Sequence, residues 1–364
     1  MADDKMARRW RAMRDCDRIL SGRRPQTIRE QLSAVEAAGF DLDGRPDIYG
    51  DGAVTVLEER VAGLLGKPTA AFFPTGTMAQ QVALRCWAER SGNWVVAMHP
   101  LNHPEVHERQ AYITVTGLRA VWPTRQPRQP TAAEVRELDE PFGTLFLELP
   151  LRDAGYLLPT WDELVALVAA GKDRGARIHV DGARIWESVP YLGHELPEIA
   201  ALADTVYVSF YKTLGGLSGA ALAGPPDLIA QAKAWRHRYG GQLFQQWPAA
   251  LAALGGLDKQ LPRLAEYVGH AATVAGALAA VPDARVYPNP PHTHQFRFSL
   301  PHPAEKLDEA AYALAEQERI WVCGGWVDDP GAGTAWTEIT VAEDALGWTA
   351  AEVTEAVAAL LRRL

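Results

Sequence analysis

The stretches RIHVDGARIW (177–186) and VSFYKTLGG (208–216) decide the fold. Each is a β-rich run that closes on a polar side chain: Asp181 ends the first, Lys212 the second, and paired glycines follow the lysine. Outward from this pair, short apolar runs recur at TAAFF (69–73), WVVAMH (94–99), ITVTG (113–117), TLFLELP (144–150) and AALAG (220–224). Amphipathic stretches separate them: MAQQVALRCWAER (78–90), TWDELVALVAAGKDRG (160–175) and LPEIAALAD (196–204). Strands alternating with helices of this length imply crossover units, hence an α/β fold with a mostly parallel central sheet sandwiched by helices. In such sheets ligands collect beyond the carboxyl ends of the strands, where Asp181 and Lys212 are expected.

The alternation fades after about residue 250. A strongly helical stretch (251–281) leads into QFRFSLP (295–301), IWVCGGW (320–326) and AWTEITV (335–341), with helices expected at 304–318 and 349–363. This predicts a smaller α+β C-terminal domain with an antiparallel sheet. At the other end, residues 8–20 suit a basic helix, and RRPQTIREQLSAVEAAG (23–39) has a proline start and a glycine stop. The expected organisation is an N-terminal helical segment at 1–45, a large α/β domain at 46–252 and a small domain at 253–364.

Bulk composition narrows the functional classes. A net charge of −9 argues against binding nucleic acid or an anionic membrane, both of which attract basic faces. Cys16, Cys86 and Cys323 have no CxxC or metal-ligand spacing, and so sparse a set reads as reduced thiols. Charges interrupt the first twenty residues, so neither a signal peptide nor a membrane span is expected there, and the expected location is the cytoplasm.

Three motifs supply chemistry. FFPTGTMAQQVAL (72–84) passes from a strand into a helix; Gly76 permits close backbone approach, and Thr77 offers a hydroxyl and an amide at the positive helix end. That is an anion site suited to phosphate, although a simple Thr-capped turn looks the same in sequence. It lacks the GK[ST] of a nucleotide-binding loop and the GxGxxG of a dinucleotide fold. Asp181, in HVDGAR, places a carboxylate at a strand end, and Arg184 follows three residues on. The plainer readings are an Asp-Gly turn and a surface ion pair. Lys212 stands between an apolar strand and a flexible turn, where an amine can act as nucleophile and then as base, or simply face water. Pyridoxal 5'-phosphate (PLP) needs these three parts: an anion site, an amine to condense with its aldehyde, and a carboxylate to keep its ring nitrogen protonated. HPLNHPEVHERQAY (99–112) adds His99, His103 and His107 with Glu105 and Glu108. The spacing is not HExxH, so no metal site is expected, and a His103 ring stacked on a cofactor is the preferred reading.

Taken in order, these motifs resemble the threonine aldolase and β-eliminating lyase family of fold-type-I PLP enzymes. The resemblance runs from DIYGDGAVTVLEE (47–59) to RHRYGG (236–241). It implies Tyr49 as a residue entering a neighbouring subunit's site, Gly76 and Thr77 at the phosphate, and His103 on the ring with Glu108 at the matching acidic position. It further implies Asp181 at the pyridine nitrogen, Arg184 nearby, Lys212 as the cofactor lysine and Arg236 as a phosphate contact. The chain departs from the family at ELPLRDAGYLLP (148–159), where Leu151 stands in place of a histidine that meets the substrate hydroxyl. Thr337 takes the place of a carboxylate-gripping arginine, and Ser21 is the nearest match to an N-terminal serine.

The resemblance implies a PLP-dependent lyase that cleaves a β-hydroxy-α-amino acid to glycine and an aldehyde. Lys212, His103 and Asp181 are the catalytic candidates, with His103 or a water taking the hydroxyl proton. Arg184, Arg152 and Tyr49 are the substrate-binding candidates, Arg152 as a substitute carboxylate clamp. β-Elimination, racemisation or transamination, and a non-catalytic binding protein on the same fold, are the alternatives. A homodimer or homotetramer is the implied assembly.

Overall fold

A computed structural model describes residues 2–364. The chain forms two compact units: Ser33–Pro262, and Arg263–Leu364 together with Met1–Leu32. The segment set apart in sequence at 1–45 is thus divided. The helix Ala2–Asp15 joins the smaller unit because Ala12, Met13 and Cys16 bury against Tyr312, Ala315 and Trp321.

The larger unit is built on seven strands: β1 (Thr69–Phe73), β2 (Val95–Ala97), β3 (Arg119–Val121), β4 (Thr144–Glu148), β5 (Arg177–Asp181), β6 (Thr205–Ser209) and β7 (Ala220–Gly224). Their order is β1-β7-β6-β5-β4-β2-β3. The run from β6 to β3 is parallel, and β7 pairs antiparallel with both β6 and β1. Every residue of β4, β6 and β7 is buried, as expected for a sheet covered on both faces. Each buried Val or Leu side chain there contributes about 1.5–3 kcal/mol.

The covering helices begin where the sequence supplies caps. The helix α1 (Gly76–Ser91) starts after Thr75, whose side chain accepts the Met78 N–H at 3.2 Å. In α2 (Trp161–Asp173) the Thr160 hydroxyl accepts from Glu163 N–H at 3.3 Å, and the Glu163 carboxylate accepts from Thr160 N–H at 2.8 Å.

One expected strand is displaced. ITVTG (113–117) is not extended: Ala111–Thr114 is a helical turn, and the edge strand follows at Arg119–Val121. The β-branched residues suggested a strand, but Ile113 and Val115 are exposed while Tyr112 is buried, so packing follows helical spacing. Gly117, at φ 74°, reverses the chain before β3.

In the smaller unit, β8 (Arg285–Tyr287), β9 (Gln295–Leu300), β10 (Val327–Asp329) and β11 (Thr334–Thr340) form an antiparallel sheet in the order β10-β11-β9-β8. Phe296, Phe298, Leu300 and Ile339 pack there with Leu278, Leu307 and Leu314. The run IWVCGGW yields only the strand Ile320–Trp321, which pairs in parallel with Arg18–Ile19.

Candidate active site

The sheet register assembles the site. Glu148 pairs with Asp181, and Asp181 with Tyr207. Residues paired across a ladder point to the same face, so three polar side chains form one row over β4, β5 and β6. Glu148 and Asp181 are the last residues of their strands.

One row back on the same face, Phe146, His179 and Thr205 form the floor. Helix α1 covers it. Trp87 Nε1 donates to Thr205 Oγ1 at 2.9 Å, and His179 Nδ1 lies 2.8 Å from the same hydroxyl. His179 Nε2 lies 2.6 Å from Gln80 Oε1. The indole donates to Thr205, Thr205 donates to Nδ1, and Nε2–H donates to Gln80. Burial pushes the His179 pKa down to about 3, so this support is neutral.

Gly76 opens α1 directly over the row. A Cβ built on Gly76 would lie 2.1 Å from Tyr207 Oη, far inside contact distance, so only glycine lets the helix start approach so closely. The Gly76 and Thr77 N–H groups lie in the first turn, where no intrahelical carbonyl accepts from them, and make a cradle for an anion.

Asp181 is 2% exposed. Its Oδ1 accepts the Ala183 N–H at 2.9 Å, and its other oxygen has no hydrogen-bond partner among the described residues. Lys212 lies in the loop after β6, which folds back on Phe210: Gly216 N–H donates to the Phe210 carbonyl at 2.8 Å. A Cβ at Gly216 would stand 2.9 Å from that carbonyl oxygen, which accounts for one of the paired glycines; Gly215, at φ 73°, accounts for the other. Burial, then the nearby Arg184 guanidinium, lowers the Lys212 pKa, while Asp181 and Glu148 resist the shift. Burial and the adjacent Asp181 charge push the Glu148 carboxyl up to about 7.

His103 is held at both ends. Its backbone N–H donates to Glu148 Oε2 at 2.8 Å, and its Nδ1 lies 3.1 Å from Glu108 Oε1. Glu108 is fixed in turn by Gln81 Nε2 at 2.9 Å, whose Oε1 accepts from Thr116 at 2.8 Å. Burial works against a charged His103 ring, but Glu108 and Asp181 outweigh it and raise its pKa.

The structure therefore gathers Gly76, Thr77, His103, Asp181, Arg184 and Lys212 at one end of the parallel strands. Arg184 sits over the Tyr156 ring at 5.4 Å. Arg152 belongs to the same charge cluster through its effect on Lys212, and its backbone N–H donates to Glu148 Oε1 at 3.2 Å. Leu151 is fully buried and bridged to Leu157, so it presents nothing polar to the site. Arg236 is buried: its Nη1 donates to the Phe72 carbonyl at 2.5 Å and lies 3.5 Å from Glu58. It flanks the β1 end that leads to Gly76, beside Gly50. Tyr49, at φ 53° and 54% exposed, makes a T-shaped ring contact with Phe244 at 5.5 Å. Ser21 and Thr337 lie in the smaller unit, where Ser21 Oγ accepts the Thr340 N–H and Thr337 donates to the Gly324 carbonyl. Among the described residues no group of three His, Cys, Asp or Glu side chains could hold a metal, and no helix is long and apolar enough to cross a membrane.

Glu148 and Tyr207 were not singled out in sequence. Glu148 could have been: like Asp181, it is a carboxylate closing an apolar run.

The donor set fits PLP: a glycine cradle at a helix start, an open oxygen on a buried carboxylate, and an amine depressed by burial. Fold and site together define a fold-type-I PLP-dependent lyase. The β-eliminating lyase family model matches residues 36–299. The low specificity L-threonine aldolase of Escherichia coli K12 is 32% identical over 269 residues, covering 70% of this chain and 78% of that protein. A solved Listeria monocytogenes protein, provisionally described as an L-allo-threonine aldolase, superposes with TM-score 0.90 at 32% identity, covering 99% of this chain and all of that one. An Exiguobacterium structure, provisionally described as an aromatic amino acid β-eliminating lyase/threonine aldolase, gives TM-score 0.91 at 32% identity, covering 98% of this chain and all of that one. The chain belongs to the β-eliminating lyase family that includes the threonine aldolases.

Proposed function

We propose that this protein cleaves the Cα–Cβ bond of a small β-hydroxy-α-amino acid, threonine or allo-threonine, to give glycine and an aldehyde. The observation that carries the reading is the Asp181–Lys212 cluster on a chain matching aldolase-type relatives over nearly its whole length.

When bound, PLP supplies an electrophilic carbon for amines and a cationic ring that draws electron density from the substrate's Cα. The chain's own residues then divide the work. The Gly76 and Thr77 amides would hold the phosphate, and Arg236 braces the strand end that precedes them. The open oxygen of Asp181 holds the ring nitrogen's proton in a charge-assisted hydrogen bond. Lys212 would hold the cofactor, and its lowered pKa increases the share of free amine, which suits it to carrying a proton at Cα. His103, locked by Glu108, would face the ring. Arg184 and Arg152 are the guanidiniums positioned for the substrate carboxylate.

A second reading has its own support. Leu151 stands where the family has a histidine for the hydroxyl, which favours proton removal from Cα and β-elimination over aldol cleavage. The assembly is proposed to be a cytoplasmic homodimer or homotetramer. Exposed Ile48, Tyr49, Leu243 and Phe244 support a subunit contact there, and three buried free thiols suit a reducing compartment.

Product analysis tests the reading. Holo-protein incubated with L-threonine and L-allo-threonine should release glycine and acetaldehyde in equal amounts. Ammonia with a keto acid would establish elimination instead. Cofactor colour that responds to no amino acid would point to a non-catalytic protein.

A further inference from the structure

The turn after β4 fails to supply an imidazole, since Leu151 is turned into the core. The next two residues gather one from elsewhere. Asp153 Oδ2 lies 2.7 Å from His107 Nε2, and Arg152 Nη1 lies 3.2 Å from the same nitrogen. The His107 ring centroid is 5.2 Å from that of His103. His107 and Asp153 are 46 residues apart, so the pair is a product of the fold. The His107 side chain is 35% exposed and that of Asp153 19%, which leaves the ring open to a ligand.

We propose that His107, oriented by Asp153, takes the proton from the substrate's β-hydroxyl and so replaces the histidine lost at Leu151. The shorter contact fixes the tautomer: Nε2–H donates to Asp153 at 2.7 Å, Arg152 Nη1 at 3.2 Å is then a neighbouring donor and not a hydrogen-bond partner, and the acceptor lone pair lies on Nδ1, which has no partner among the described residues. Asp153 is the positioning residue; it fixes the tautomer and the ring plane, as a carboxylate does for any imidazole base. A His103 ring lying flat against a cofactor has Nδ1 committed to Glu108, so it is less free for this task. Substrate chemistry agrees with the spacing. A β-hydroxy-α-amino acid carries its carboxylate and hydroxyl on adjacent carbons, and here a guanidinium and an imidazole stand within 3.2 Å of each other. The step balances. Nδ1 gains the hydroxyl proton, the O–H electron pair becomes the C=O π bond, and the Cα–Cβ pair stays on Cα. The aldehyde departs, Lys212 returns a proton to Cα to complete glycine, and solvent restores both bases.

This inference rests on the aldol-cleavage reading, and the test separates the two. Holo wild type, His107→Ala and Asp153→Asn are compared in threonine cleavage and in deuterium exchange of the glycine Cα proton. Exchange needs Lys212 but has no hydroxyl to deprotonate. His107→Ala should lose about a hundredfold or more in kcat for cleavage, the usual scale of a general base, with KM moving less. Exchange and the cofactor's visible band should persist, and added imidazole should restore part of the cleavage. Asp153→Asn should show the same pattern more weakly. Cleavage retained in His107→Ala, or cleavage and exchange falling together, overturns the proposal alone. A wild type that exchanges glycine but cleaves no β-hydroxy amino acid overturns both the proposal and the reading beneath it.

Discussion

The β4–β6 row and the turn that follows β4 are neighbours in sequence yet differ in kind. Glu148, Asp181 and Tyr207 are placed by ladder pairing, with a neutral layer of His179, Thr205 and Gln80 beneath them. Their positions follow from strands buried on both faces, and moving one requires moving the sheet. Leu151–Tyr156 is a short turn, closed by the Leu151–Leu157 bridge, by the Gly155 and Tyr156 N–H groups donating to the Arg152 carbonyl, and by the Arg152 N–H donating to Glu148. Its polar side chains reach outward to His107 and into the charge cluster. The rigid row suits groups that hold a cofactor; in the turn Leu151, Ala154 and Tyr156 are buried, while the half-buried Arg152 and Asp153 can be exchanged with less disturbance to the core. A family that keeps its cofactor while altering its substrate contacts would change the second region, as this chain does at Leu151.

Each region can be disrupted separately. Lys212→Ala should cause the largest loss, about a thousandfold or more in turnover, because nucleophile and proton carrier go together. Loss of the visible cofactor band should accompany it, and unchanged turnover would remove Lys212 from the mechanism. Asp181→Ala should follow, with about a hundredfold or more lost in kcat as the ring nitrogen loses its counter-charge. Far-UV circular dichroism should stay native, which separates chemistry from unfolding.

Gly76→Ala comes next. The added methyl would overlap Tyr207 Oη, so α1 must shift and PLP affinity should fall about tenfold or more; titration of apo-protein with cofactor measures this. Arg152→Ala tests the turn. Loss of a charged hydrogen bond should raise KM for the amino acid about tenfold to a hundredfold, with kcat changing less. An unchanged KM would assign the carboxylate to Arg184 alone.

The smallest effect concerns stability. The Glu148 carboxyl titrates near 7 in the folded protein against 4.5 ordinarily, so the folded state retains a proton that the unfolded chain has released. Its contribution to stability is present below the ordinary value and is lost as pH rises toward 7. Apo-protein Tm should therefore fall more between pH 5 and pH 8 in wild type than in Glu148→Gln, by about a few degrees. Parallel curves would mean that Glu148 is charged throughout that range.

Much of the first region was legible in the sequence, because local rules govern it. TAAFF and AALAG mark their strands to the residue, and Thr75–Gly76 announces a helix start over a close approach. Asp181 and Lys212 each end an apolar run, which places them at the ligand-binding edge. Glu148 carries the same local mark, a carboxylate closing an apolar run, but its partnership with Asp181 lies in the strand register, which the sequence does not display. ITVTG misled because β-branched residues on an exposed helical turn look like an edge strand. The second region was legible only as a departure. Leu151 marks what is missing, but the imidazole gathered by Asp153 comes from a distant segment, and only the fold brings the two within 2.7 Å.

If the row at the strand ends holds PLP on Lys212, that linkage can be trapped chemically. Borohydride reduction of the yellow holo-protein, followed by peptide mapping, tests it most directly. One modified peptide is expected, carrying the cofactor on Lys212 within VSFYKTLGG (208–216), and none in Lys212→Ala protein. Cofactor fixed on another lysine, such as Lys67 or Lys233, or no fixation by a coloured wild type, would contradict it.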